Sequence, residues 1–270
     1  MLKNKISPQK KATIISSSVA AILTLIKLAL GILSGSVAVL ASAIDSVLDM
    51  FVSIFNYFAI LNSEKPADKK FNYGRGKIEA LALFIEGIVI TISGLYLLYE
   101  AIKKAIYKET SSYLDISIYV MIISLIITIS LVIYLNSVAK KTNSMVIKAD
   151  ALHYKTDVLS NLAVLFSLIL VHFTNMEIFD VIIGVIIAFY IIYSAFSIIK
   201  KGVLVLLDAS IDDDLVLKIE GILKNDPNLS NFHLLKTREA ANKTFVEAHI
   251  VFNTQQITLI EAHKICDHIE

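Results

Sequence analysis

Six apolar stretches, each close to or longer than the roughly 20 helical residues needed to cross a bilayer core, constrain this chain more than any other feature. They lie near residues 12 to 33, 36 to 61, 78 to 102, 113 to 139, 145 to 173 and 178 to 199. Segments of this length span lipid as helices, because every backbone N–H and C=O must find its partner within the segment. The 270 residues are 56% hydrophobic and 18% charged, too apolar for an ordinary soluble domain and too long for a single anchor. Basic residues precede the first apolar run, as in a signal peptide. That run continues to about Leu33 with no small-residue cleavage site, so it reads as a retained first helix.

Charge placement sets the orientation. Lys3, Lys5, Lys10 and Lys11 precede the first stretch, Lys65, Lys69, Lys70, Arg75 and Lys77 separate the second from the third, and Lys140 and Lys141 follow the fourth. Lys200 and Lys201 follow the sixth, while Lys103, Lys104 and Lys108 on the opposite side weaken the contrast. The excess predicts a multi-pass protein of the cell (inner) membrane with both termini cytoplasmic. A net charge of +1 with scattered lysines offers no concentrated basic surface, which excludes a nucleic-acid partner. The one cysteine, Cys266, cannot form an intramolecular disulfide.

After Leu207 the composition turns polar, which divides the chain into a transmembrane part, 1–207, and a small cytosolic α+β domain, 208–270. Asp212 to Asp214 can cap a helix running to Lys224. "HLLKTREA" and "KTFVEAHIVF" read as a hairpin, and "TLIEAHKICDHIE" as a second helix. The predicted fold is therefore a membrane all-α six-helix bundle with a small C-terminal α+β domain.

Polar residues inside the apolar stretches carry the chemistry. Asp45 and Asp49 lie four residues apart in the second stretch, one turn apart on one helical face and near the bilayer midplane. Each carboxylate costs about 2.5 to 3.5 kcal/mol at that depth, so an incidental pair is disfavoured. His153 and Asp157 repeat the spacing in the fifth stretch, provided its helix begins near Ser144. The competing reading of "MVIKADALHYKTD" is a surface helix, because Lys148, Asp150 and Lys155 share it. Three carboxylates and one imidazole from two helices suit a four-coordinate divalent ion. Zn(II) fits such a set, with Fe(II), Cd(II), Co(II) and Mn(II) as neighbours in ligand preference. No HExxH motif lies in the stretches, so a membrane metalloprotease lacks its base and no enzymatic activity is expected.

The DxxxD and HxxxD pairs, with "GSVAVLASAIDSVLDM", "PADKKFNYGRGKIEAL", "ADALHYKTDVLSN" and "LVLLDASIDDD", resemble the cation diffusion facilitator family, on the side of its bacterial zinc and iron exporters. The resemblance implies a homodimer that exports a cytoplasmic divalent metal in exchange for protons, with Asp45, Asp49, His153 and Asp157 as the transport site. It implies a ferredoxin-like cytosolic domain, whose last strand this tail would lack. His233, His249 and His263 match positions that bind regulatory metal in that domain, against the alternative of exposed, non-ligating histidines. Lys77 and Asp208 match a charge pair joining the two parts, against the alternative of two unrelated helix-end charges. One segment departs from the family. Relatives carry Asp and two His between the second and third spans, whereas this chain keeps Asp68 but has Phe71 and Arg75. No metal is expected there, and Asp68 reads as a solvated residue or a lysine partner.

Two function classes remain at this level: a proton-coupled exporter, and a membrane metal sensor signalling through the tail. A titratable site at the bilayer midplane favours the exporter. A channel is disfavoured because four ligands hold a divalent ion too tightly for fast conduction.

Overall fold

Residue chemistry at the helix ends already shows how the bundle is built. In the computed structural model, α1 (Pro8–Ser34) begins with Pro at its first position, and Ser7 Oγ accepts from the Lys10 N–H. It is followed by α2 (Val37–Ser63), α3 (Lys77–Tyr107), α4 (Asp115–Thr142), α5 (Met145–Thr174) and α6 (Ile178–Leu206). The structure describes residues 6–34, 37–107, 115–174, 178–241, 243–254 and 256–269, and some helical side chains, those of Asp45 and His172 among them, lie outside that description. The helix starting at Met145 is the one that the depth of His153 required.

Among the described residues, four helices contain stretches long and apolar enough to cross a membrane: 8–30, 77–103, 122–142 and 181–206. Helices α2 and α5, of 27 and 30 residues, interrupt their apolar faces with the Asp and His pairs. Helix α3 lies along α6, α1 along α2, and α4 along α5, with α5 also touching α1, α2, α3 and α6. The α3–α6 seam is close because Gly87 and Gly94 face α6. A Cβ at either would stand 2.6 Å from Ile199 Cγ1 or 2.8 Å from Ile192 Cγ1.

The main core lies toward the bundle end that carries the α2–α3 and α4–α5 connections. There Ala12, Ile60, Ala82, Leu135, Val146 and Ile147 pack with no exposed surface. Large apolar side chains such as Ile92, Ile126, Phe189 and Phe196 point outward and are exposed, as a lipid-facing surface requires. The start of α1 is tied to the end of α2 by Lys10–Glu64 at 2.7 Å.

The tail consists of α7 (Asp213–Asn225), β1 (Leu229–Ala240), β2 (Lys243–Phe252) and α8 (Leu259–Ile269). The hairpin is antiparallel, with His233 opposite His249. Strand β1 starts earlier than "HLLKTREA" suggests, because the turn at Asp226, whose carboxylate accepts from the Asn228 N–H, delivers the chain extended at Leu229. A capping box opens α8: Thr258 N–H donates to Glu261 Oε2 at 3.0 Å and Thr258 Oγ1 accepts from the Glu261 N–H at 3.3 Å. The Thr258 N–H, together with the Thr258 hydroxyl donating to the same Oε2 at 2.8 Å, holds the Glu261 carboxyl below its ordinary range.

Candidate metal centre

Helical spacing brings His153 and Asp157 to one face of α5, and the contact of α2 with α5 sets Asp49 opposite them. His153 Nε2 lies 3.0 Å from Asp49 Oδ1 and 3.9 Å from Asp157 Oδ2. One ligand atom from each of the three falls within 4.8 Å of the others. A tetrahedral ion with bonds of about 2.0 to 2.2 Å needs ligand atoms about 3.3 to 3.6 Å apart, so modest side-chain rotation closes the set. His153 is buried, while Asp49 and Asp157 are half-buried. The backbone of Asp45 lies one turn before Asp49 on α2, and its side chain lies outside the described residues. Beside the site, Tyr154 and Ser53 share a hydrogen bond of 2.8 Å between α5 and α2. With a proton on Nε2, His153 donates to Asp49; a metal held here would take that proton's place on the same atoms.

A second polar cluster lies toward the α2–α3 connection. Asn56 Nδ2 donates to Glu86 Oε2 at 3.1 Å and to Asp150 Oδ1 at 3.4 Å. Nearer that end, Ser63 and Ser144 donate to the two oxygens of Glu79 at 3.1 and 3.0 Å. Sequence reasoning had no role for Asn56, Glu79 or Glu86, and it counted Asp150 toward a surface helix. Asp150 is fully buried, so the surface-helix reading fails for its face, although Lys148 and Lys155 are exposed. The missed signal was the polar stripe Asp49, Ser53, Asn56 and Ser63 along one face of α2, matched by a lone Glu86 in the apolar run of α3.

At the α2–α3 connection, Asp68 accepts from the N–H groups of Lys70 and Phe71, both at 2.9 Å, and pairs with the Arg75 guanidinium. Arg75 in turn lies over the Phe71 ring at 4.5 Å. The Phe71 N–H, then that of Lys70 and the Arg75 charge, hold the Asp68 carboxyl below its ordinary range. Its partner is therefore an arginine rather than a lysine. Lys77 Nζ reaches Asp208 at 2.8 Å and the Leu206 carbonyl at 3.1 Å, and Arg238 of β1 joins Asp208 at 3.4 Å. The Lys77 hydrogen bond, with Arg238 behind it, lowers the Asp208 carboxyl. The Arg238 guanidinium also lies over Tyr73 at 4.3 Å and Phe245 at 4.8 Å, rings that meet edge to face.

In the tail, His233 and His249 meet with ring centroids 5.3 Å apart, both exposed. His263 lies 3.7 Å from Asp267 on its own helix. Among the described residues, no three potential ligands of the tail converge as Asp49, His153 and Asp157 do. His249 and Cys266 line a cavity of about 760 Å³ between α7, the hairpin and α8.

The profile of the cation efflux transmembrane domain matches residues 13–207, and that of the cation efflux protein cytoplasmic domain matches 211–270. The chain belongs to the cation efflux family, also called cation diffusion facilitators. Curated relatives of this cation efflux protein include "Cation-efflux pump FieF" of Shewanella oneidensis, 35% identical over 253 residues, covering 93% of this chain and 85% of the relative. The FieF pump of Serratia proteamaculans is 31% identical over 261 residues, with 97% and 86% covered. "Protein p34" of Rickettsia prowazekii is 33% identical over 260 residues, with 96% and 86% covered. Transmembrane transport of metal cations and a homodimeric assembly fit this family.

Proposed function

We propose that this protein exports a divalent transition metal, Zn2+ first and Fe2+, Cd2+, Co2+ or Mn2+ within reach, from the cytoplasm in exchange for protons. Its cargo binds at Asp45, Asp49, His153 and Asp157. The observation that carries the reading is the convergence of Asp49, His153 and Asp157 from two helices to within 4.8 Å, beside helices with membrane-spanning composition. Names of curated relatives as cation-efflux pumps support it.

Coupling follows from competition. The carboxylates and the imidazole bind a metal only when free of protons, so a site that opens alternately to two sides can trade one for the other. Imidazole titrates nearest neutrality of these ligands in its unperturbed form, which makes His153 the main proton carrier. In this reading residues 1–207 are the transport domain, six spans in the inner membrane with both termini cytoplasmic, supported by the lysine excess on alternate connections. Residues 208–270 form the cytosolic regulatory and dimerisation domain. A sensor reading has no observation in its favour.

The test is zinc flux into reconstituted vesicles under an imposed pH gradient. Native protein should take up zinc and Asp49→Ala should not, with metal affinity down at least about 100-fold, since groups that only hydrogen-bond to a metal's ligands are themselves worth about 10 to 100-fold. Absence of flux with the native chain would sink the proposal.

A further inference from the structure

Three fully enclosed oxygens sit on three different helices without a hydrogen-bond partner among the described residues: Asn56 Oδ1 of α2, Glu86 Oε1 of α3 and Asp150 Oδ2 of α5. Asn56 and Asp150 are 0% exposed and Glu86 1%. They belong to one cluster, because the amide nitrogen of Asn56 holds the remaining oxygen of each carboxylate, at 3.1 and 3.4 Å. Among the described residues, neither carboxylate forms an ion pair with a lysine or arginine.

We propose that Asn56, Glu86 and Asp150 form a second cation site, all oxygen in its donors, for a hard divalent ion of the Mn2+ or Mg2+ class. Buried polar atoms without partners call for an explanation, and an ion is one. A proton satisfies one acceptor at a time, whereas a metal ion takes lone pairs from several donors at once. Two carboxylates and an amide carbonyl match a divalent charge, and the absence of nitrogen or sulfur ligands favours hard ions over soft ones. The amide of Asn56 spends its two N–H groups on the carboxylates, which spaces them and leaves its carbonyl free.

The position deepens the export reading, on which this role rests. Asn56 lies seven residues beyond Asp49 on α2, and Asp150 lies three before His153 on α5. Both displacements run toward the end of the bundle with the α2–α3 connection and the tail, and Glu79, with its two serines, lies further along the same line. A cation moving from that end toward Asp49 and His153 meets the oxygen cluster first. The cluster is thus a waiting station that also filters the cations reaching the transport site.

The experiment is Mn2+ titration of the full-length chain in nanodiscs, with free Mn2+ followed by electron paramagnetic resonance. Native protein should bind at least two ions per chain. Glu86→Gln and Asp150→Asn, both isosteric, should each remove one of them, and Asp49→Asn should remove a different one. Asn56→Asp, which adds a charge to the same donor set, should tighten the second site about tenfold. Unchanged Mn2+ stoichiometry and affinity in both Glu86→Gln and Asp150→Asn would overturn the proposal. Loss with Glu86→Gln but none with Asp49→Asn would keep the oxygen site and remove the transport assignment instead.

Discussion

Histidine occurs in both halves of this molecule, with opposite consequences. In the bundle, one imidazole, His153, is buried with carboxylates at 3.0 and 3.9 Å. In the tail, His233, His249 and His263 are exposed, and the described residues give them one ring contact and one distant carboxylate. A histidine becomes a ligand when helices fix other donors around it and exclude water. His233 and His249 on the two-stranded ribbon, and His263 on α8, have no such enclosed set of donors among the described residues. Counting histidines would have ranked the tail above the bundle, and the geometry reverses that order.

The sharpest way to break the comparison is His153→Ala. The variant should keep weak metal binding through the carboxylates but lose the dependence of vesicle flux on the pH gradient. Flux with native proton dependence would show that the bundle histidine is as dispensable as those of the tail. A smaller effect is expected where the halves meet. Asp208 has a folded-state carboxyl lowered by Lys77 and Arg238, so its contribution to docking is present above the unfolded carboxylate value and is lost as pH falls through the folded one. Protease sensitivity of the 207–212 segment should therefore rise in acid below the ordinary aspartate range, and Asp208→Asn should show the raised level at neutral pH. Equal cleavage of native and variant chains at both pH values would exclude the pair from docking. The smallest effect belongs to the triple variant His233→Ala, His249→Ala and His263→Ala. Exposed side chains of this kind change stability by about 0.5 kcal/mol or less, and flux should stay within about twofold of native. A larger loss would support the tail histidines as a working metal site.

How legible each part was depends on the range of the interaction. Residues one turn apart announce themselves, which is why Asp49, His153 and Asp157 were readable as members of i,i+4 pairs. Most helix ends were readable within about four residues from apolar length, but α3 runs on to Tyr107 and α6 to Leu206, past the lysines at which the apolar stretches were closed. Asn56 and Glu86 were not, because a single polar residue in an apolar helix names no partner and theirs lie on α2, α3 and α5. Asp150 was misleading for a related reason. Its neighbours Lys148 and Lys155 face outward while it faces in, and a surface helix shows the same composition. The Asp68 partner was missed because the nearer lysines drew the reading, whereas the turn through Gly74, with φ of 80°, returns Arg75 to Asp68.

The contact of Arg238 with the rings of both Tyr73 and Phe245 bears on how the protein responds to ionic strength. Exposed ion pairs such as Lys77–Asp208 weaken as salt shortens the Debye length to about 8 Å and below. A guanidinium seated on two rings keeps its dispersion contacts, and its attraction to the ring faces acts at close range. The tail is thus fastened to the α2–α3 connection by one salt-sensitive tie and one that salt leaves largely in place, so it should stay attached in brine while its angle to the bundle loosens.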